Sequence, residues 1–105
     1  MTLTRQFKET VQKRVMKDVK FRKALLREAV DTMLAGDVET GKTILRDYIN
    51  ATIGFEKLGA ATGTSAKSLM RMFGPKGNPQ ARNLFAVINH LQEKTGVKLH
   101  LANVH

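Results

Sequence analysis

The sequence predicts an all-α fold of five to six short helices, followed by one short C-terminal strand. Through most of the chain, apolar residues recur at intervals of three and four, which is the spacing of a buried helix face. Glycine or proline interrupts these stretches, as expected where helices end. We therefore expect 105 residues to form a modest core, with residues 1–36 as an N-terminal helical extension and residues 37–105 as the main domain.

Two amphipathic helices account for the N-terminal extension. Between them stands Asp18, a residue type that suits the N-cap of the second helix. This second helix is expected to end near Ala35–Gly36, with glycine at the usual C-terminal position. The two apolar stripes are Leu3, Phe7, Val11 and Val15, then Phe21, Leu25, Ala29 and Met33.

A cluster of basic residues lies where these two helices meet. Its members are Lys13, Arg14, Lys17, Lys20, Arg22 and Lys23. A solvated helix face explains such a cluster as well as a contact with phosphates or with a partner protein does. The sequence leaves both interpretations open.

A nucleotide-binding pattern in the next stretch is rejected on physical grounds. Residues 36–43 read GDVETGKT and satisfy G-x-x-x-x-G-K-[ST]. A phosphate loop needs a buried strand immediately before it and a later strand ending in Asp to hold magnesium, and the sequence predicts neither. Asp37 instead suits the N-cap of a third helix, with Gly41 as a weak position in its first turns.

Residues 55–74, FEKLGAATGTSAKSLMRMFG, are the stretch that predicts function. They fit two short helices joined by a glycine turn, which is the arrangement of a DNA-reading helix-turn-helix. Gly59 falls where the two helices cross closely, and Gly63 falls at the turn, where positive φ is required. The apolar residues that anchor the second helix, expected over about residues 65–73, are Leu69, Met72 and Phe73.

Two cations are predicted to project outward from the second helix. At about 100° per residue, Lys67 and Arg71 lie roughly 160° and 200° around the helix from Leu69. Small polar residues beside them suit a major groove lined with acceptors, where Arg or Lys can bind guanine. We assign base reading to Ser65, Ala66, Lys67, Ser68 and Arg71.

The distribution of charge favours nucleic acid as the partner. The chain carries 18 basic and 9 acidic residues, for a net charge of +9. From Lys57 to Gln92 it contains no Asp or Glu, and carboxylates would repel phosphates there. We assign phosphate contacts to Lys57, Lys76, Asn78, Gln80 and Arg82.

The end of the chain predicts a last helix and a strand. Asn78 and Pro79 fit the N-cap and first position of a helix that stops at Gly96. The alternating tail VKLHLANV fits a strand, and a lone strand needs a partner from another chain. A homodimer joined through this strand is expected; an extended tail packed on the last helix is the alternative.

Other classes of function find little support. The absence of cysteine excludes disulfides, thiolate nucleophiles and thiolate zinc sites. No catalytic or metal-ligating constellation is evident, so neither an enzyme nor a cofactor is expected. No stretch approaches the length of a membrane span or a secretory signal, which predicts a cytoplasmic protein.

Residues 44–101 resemble a family of small bacterial regulators. The most distinctive part reads SLMRMFGPKGNPQARNLF. It is similar to the antidote proteins of addiction modules, the HigA-type antitoxins, which have a lambda-repressor-like helix-turn-helix domain. The resemblance implies an all-α domain that binds its own operator and neutralises a toxin of the RelE/ParE-like fold.

Together these patterns predict a sequence-specific DNA-binding transcriptional regulator, the antitoxin and autorepressor of a type II toxin–antitoxin operon. Its partners would be a double-stranded operator, a second copy and a toxin. Two alternatives stay open: a protein-binding antidote module without an operator, and a basic protein that binds nucleic acid without sequence preference. A nucleotide hydrolase is the least favoured.

Overall fold

A computed structural model describes residues 13–99, and within this range the chain is all-helical. Residues 13–17 are helical and lead into five helices whose two ends are both described. These are α1 (Val19–Leu34), α2 (Val38–Ala51), α3 (Phe55–Thr62), α4 (Ala66–Met72) and α5 (Ala81–Thr95). The predicted fold class is confirmed in this coarse form. No helix in the described range is both long and apolar enough to cross a membrane.

Aspartate side chains cap the first two of these helices, as predicted. The Asp18 carboxylate accepts hydrogen bonds from the backbone N–H groups of Lys20, at 3.0 Å, and Phe21, at 3.2 Å. The Asp37 carboxylate accepts one from Thr40 at 3.2 Å. These bonds satisfy amides that have no partner within the first turn of a helix. Hydrogen bonding from the Thr40 side chain, and then from its backbone N–H, lowers the pKa of the exposed Asp37 carboxyl.

Helices α1 and α2 pack closely because α2 carries a glycine at their crossing. A Cβ on Gly41 would overlap the Met33 side chain and lie 2.9 Å from the carbonyl oxygen of Ala29. Gly41 is buried, so its role is close packing, and its interpretation as merely a weak position was incomplete. Leu26 and Ala29 of α1 thereby enter the same core as the later helices. The other buried members of this core are Leu45, Tyr48, Ile49, Phe55, Leu58, Leu69, Phe73, Val87, Ile88, Leu91 and Val97.

Arg22 ties the beginning of the described chain to the end of α5. Its Nε donates to the carbonyl of Thr95 at 3.0 Å, and its Nη1 donates to those of Val15 and Met16 at 3.1 and 2.7 Å. Arg14 stands 4.7 Å from the centre of the Phe21 ring, a cation–π contact. Two of the six clustered basic residues therefore make contacts within the chain, and all of the six except Arg22 are exposed.

A chain of hydroxyl hydrogen bonds joins α2 to the last turn of α5. Thr95 Oγ1 donates to the Leu91 carbonyl at 2.6 Å. The Tyr48 hydroxyl, 2.7 Å from Thr95 Oγ1, is therefore the donor in that contact. Burial raises the pKa of Tyr48, while the nearby Arg22 charge acts in the opposite direction.

The start of α5 differs from the prediction. The N-cap is Gln80, in extended backbone with φ −68° and ψ 147°, and it makes no side-chain capping bond. Asn78 was predicted to be the N-cap, but Pro79 and Gln80 are not helical, so the helix begins two residues later than predicted, at Ala81. The predicted end at Gly96 is confirmed, with φ 71° at that glycine.

The predicted strand is not supported over the residues that the structure describes. Between residues 13 and 99 no residue is in a β-strand. Val97 is 3% exposed in the core, and the N–H of Leu99 donates to the Gln92 side chain at 2.7 Å. The tail therefore packs on α5 as an extended segment, which was the alternative to a strand. The remainder of the predicted strand, residues 100–104, lies outside the described range, as do residues 1–12 of the predicted first helix.

Candidate nucleic-acid interface

The α3–α4 pair has the predicted helix-turn-helix geometry. Helix α3 begins at Phe55, and Gly63 ends it in left-handed backbone with φ 74°. A Cβ on Gly59 would overlap the carbonyl oxygen of Thr64, so only glycine allows the turn to return across α3. Thr62 is accommodated in a half-buried position because its hydroxyl donates to the Leu58 carbonyl at 2.9 Å.

A tilted pair of aromatic rings and aliphatic contacts anchor α4 on its buried side. Leu69 and Phe73 are 1% and 2% exposed, and Met72 packs partly against the core. The Phe73 ring lies 6.4 Å from that of Phe55, at an angle of 49°. This contact joins the last turn of α4 to the first turn of α3, which fixes the angle between the two helices.

The opposite face of α4 presents the two predicted cations to solvent. Lys67 and Arg71 are both exposed, and the predicted helix phase is confirmed. The ion pairs found within residues 13–99 are Arg27–Asp31 and Lys42–Glu39, so no carboxylate of this range forms an ion pair with either cation. Met70, 52% exposed, lies beside them on the same helix.

The residues at the start of α4 have more constrained roles. Ser65 is the N-cap: its hydroxyl oxygen accepts from the Ser68 N–H at 3.1 Å and donates to the Ser68 hydroxyl at 2.9 Å. This leaves the Ser68 hydroxyl proton available for an acceptor outside the protein. Ala66 packs partly against the core and is half-buried. Of the five residues assigned to base reading, Lys67, Ser68 and Arg71 are thus the best placed.

A buried lysine fixes the loop that follows α4, and sequence reasoning missed it. Lys42 of α2 is 1% exposed. Its ammonium group donates to the carbonyls of Gly74, at 3.0 Å, and Gly77, at 2.7 Å, and pairs with Glu39 at 3.0 Å. A Cβ on Gly77 would overlap the carbonyl oxygens of Arg71 and Met72. The loop is therefore clamped between α2 and the end of α4.

Lys42 belongs to the GKT of the rejected phosphate-loop pattern. Its ammonium binds backbone carbonyls of this chain, and the residues before it are helical. A phosphate loop has neither feature. A lysine one position after a glycine that packs against the preceding helix could have signalled burial, but only once that packing was known.

Four of the predicted phosphate contacts gather around the clamped loop. In the sequence, Lys76 stands between Gly74 and Gly77, whose carbonyls Lys42 binds, and its side chain is exposed. Asn78, Gln80 and Arg82 follow at the N-terminal end of α5 and are exposed as well. The positive end of the helix dipole lies at this end of α5 and favours anions.

Lys57 lies apart from this group. It lines a groove together with Lys94 and Thr95, at the C-terminal end of α5. Helix α5 has 15 residues, which at 1.5 Å each separate its two ends by about 20 Å. The structure thus brings Lys76, Asn78, Gln80 and Arg82 together and leaves Lys57 on another surface.

No site for a metal ion is evident in the described part of the chain. No group of three or more His, Cys, Asp or Glu side chains stands close enough there to hold one. His100 and His105 lie outside that range. No known protein family, curated protein or solved structure matches the chain.

Proposed function

We propose that this protein is a sequence-specific, DNA-binding transcriptional regulator that uses α4 as its recognition helix. The observation that carries the proposal is the two-sidedness of this helix. Leu69 and Phe73 bury one face, while Lys67 and Arg71 stand exposed on the other, without an ion pair to any described carboxylate. A helix held rigidly with cations outward can enter a major groove, where Arg and Lys bind guanine edges.

The neighbouring surface supplies the phosphate contacts that such a helix needs. Lys76 and Arg82 flank the turn into α5, and Lys42 holds this turn against the end of α4. Phosphate contacts fix the position of a protein on the duplex, so a clamped loop sets where α4 lies. If about six phosphates are neutralised per dimer, log K falls against log salt with a slope near −5.

Selection from a randomised duplex library tests this proposal. The full chain should enrich one sequence, and binding to it should survive excess random duplex. The Arg71→Ala variant should enrich a sequence with relaxed preference at one base position. Enrichment of no sequence, despite binding at low salt, would favour a nonspecific nucleic-acid-binding protein, for which the net charge of +9 is the supporting observation.

We propose that the regulator works as a homodimer. Two recognition helices about 34 Å apart would reach successive major grooves. Phe85 of α5 is 61% exposed, an unusual exposure for so large an apolar side chain, and it lies one turn from Arg82. We place the contact between copies here, in preference to the predicted strand. A Phe85→Ser variant that sediments as a monomer, from a wild-type dimer, would support this assignment.

The toxin–antitoxin role rests on the family resemblance of residues 44–101. We propose a cytoplasmic antitoxin that represses its own operon and binds a RelE/ParE-like toxin encoded beside it. Co-expression with the neighbouring reading frame is the test. The proposal requires that the neighbour alone arrests growth and that this protein relieves the arrest. A neighbour without toxicity would leave DNA regulation as the function.

A further inference from the structure

An open groove lies on the surface formed by the C-terminal end of α5, α3 and the helical residues 13–17. Its volume is about 730 Å³, within the range of sites that take ligands or side chains. Arg22 braces the groove by binding the carbonyls of Thr95 and Met16 from two of its walls. Arg22 thus joins two of the walls to α1.

The chemistry of the groove combines an apolar floor with a cationic rim. The apolar side chains are those of Met16, Ile53, Ala60 and Ala61. Met16 is 55% exposed, so its side chain is available to a partner. Among the described residues that line the groove, the charged ones are Arg22, Lys57 and Lys94, and none is a carboxylate.

This surface is separate from the recognition helix. No residue of α4 lines the groove, and the phosphate-contact group begins at the other end of α5, about 20 Å away. An apolar floor also gains nothing from a sugar–phosphate backbone, because burying apolar area requires an apolar partner. The groove therefore suits a protein partner better than it suits the duplex that α4 would bind.

We propose that the groove binds an acidic peptide segment of a partner protein, with one or two apolar side chains on the floor and carboxylates against Lys57 and Lys94. Charge complementarity selects this occupant, since all three charged side chains among the described lining residues are cations. Met16 lets the floor adapt to the shape of the bound side chain. DNA and the acidic segment would then bind to different surfaces of one molecule.

Phage-displayed random dodecapeptides supply an unbiased probe. The library is panned on the full chain, with counter-selection on a Lys57→Glu/Lys94→Glu variant. The expected result is an enriched motif with apolar residues flanked by Asp or Glu. A library that enriches nothing, or only peptides without acidic residues, contradicts the proposal.

The enriched peptide is then synthesised with a fluorescent label and titrated by anisotropy. We expect Lys57→Glu/Lys94→Glu to weaken binding at least tenfold, and Ala60→Gln to weaken it severalfold by making the floor polar. The matched control is Lys20→Glu/Lys23→Glu on α1, which makes the same charge change on exposed residues outside the groove and should leave affinity unchanged. Equal loss in both charge-reversal variants would show general attraction and overturn the groove assignment.

A duplex competitor separates this inference from the proposed DNA binding. Addition of random duplex should leave the peptide bound to wild type, whereas displacement from both wild type and a Lys67→Ala/Arg71→Ala variant would assign the groove to nucleic acid. The peptide should also bind that variant with wild-type affinity. A wild-type protein that binds the peptide but shows no sequence-specific duplex binding would sink only the regulator proposal.

Discussion

The Lys42 ammonium group donates a 2.7 Å hydrogen bond to the Gly77 carbonyl, which joins α2 to the loop behind the recognition helix. The same ammonium group also donates to the Gly74 carbonyl. It is buried, and the exposed Glu39 carboxylate is its counter-ion. A charged donor in such a place contributes more than a neutral one, because its loss leaves buried carbonyls without partners. The position of Lys76 therefore depends on a residue of another helix.

Replacement of Lys42 should destabilise the fold. We expect Lys42→Met to lower the free energy of unfolding by about 1–3 kcal/mol, because two carbonyls lose their donor while the aliphatic volume is kept. Urea denaturation followed by circular dichroism measures the change. Lys23→Met, at an exposed lysine of α1, is the control and should stay within about 0.5 kcal/mol of wild type. Equal stability of the two variants would remove Lys42 from this role.

The α3–α4 crossing should tolerate nothing larger than glycine. Gly59→Ala places a methyl group against the Thr64 carbonyl oxygen, and we expect it to cost about 1–3 kcal/mol of stability through displaced backbone. Gly74→Ala is the matched control, because its Cβ would lie 3.4 Å from the nearest carbonyl oxygens, an ordinary contact. If Gly59→Ala and Gly74→Ala have the same melting temperature, the α3–α4 crossing has room for a methyl group and the prediction is wrong.

Tyr48 should make stability fall at alkaline pH. Burial raises the pKa of the folded phenol above its ordinary value near 10. The unfolded chain therefore loses this proton first, so the stabilising contribution is complete below pH 10 and is lost as pH rises through the folded pKa. Tyr48→Phe removes this dependence along with the bond to Thr95. Urea unfolding at pH 8 to 11 should show a steeper loss in wild type than in the variant; parallel curves would contradict the assignment.

The phosphate and base contacts should differ in how they change binding. Lys76→Ala should weaken every duplex by a similar factor and reduce the magnitude of the salt slope by about 1. Arg71→Ala should cost about 1–3 kcal/mol on the preferred sequence and much less on random duplex. Anisotropy titrations at several salt concentrations measure both quantities. If Lys76→Ala changed the sequence preference and Arg71→Ala weakened all duplexes equally, Lys76 would be the base contact and Arg71 the phosphate contact.

The parts of the fold set by local sequence were predictable. Glycines that need positive φ or close approach, Gly59 and Gly63, located the helix pair, and Asp18 and Asp37 located two helix starts. Spacing alone gave the outward direction of Lys67 and Arg71, because the angle per residue in a helix is fixed. The DNA contacts of those residues remain predictions.

The parts set by contacts between distant residues were not predictable. Lys42 and Arg22 bind partners that lie as many as 35 and 73 positions away along the chain. Their burial follows from how α1 and α2 pack, and no local pattern records it. The tail alternates like a strand, but the side chains of Val97 and Leu99 pack against the helical core. The Leu99 N–H donates to the Gln92 side chain of α5. Alternation fits any extended segment that has one buried face.

Competition binding with charge-matched variants tests the central claim most directly. Wild type, Lys67→Ala/Arg71→Ala and the control Lys20→Ala/Lys23→Ala are titrated against the selected duplex in excess random competitor. All three should be equally folded by circular dichroism, since all four residues are exposed. We predict that the α4 variant loses its preference for the selected duplex while the control keeps it. If both variants keep that preference, or lose it equally, α4 does not read DNA.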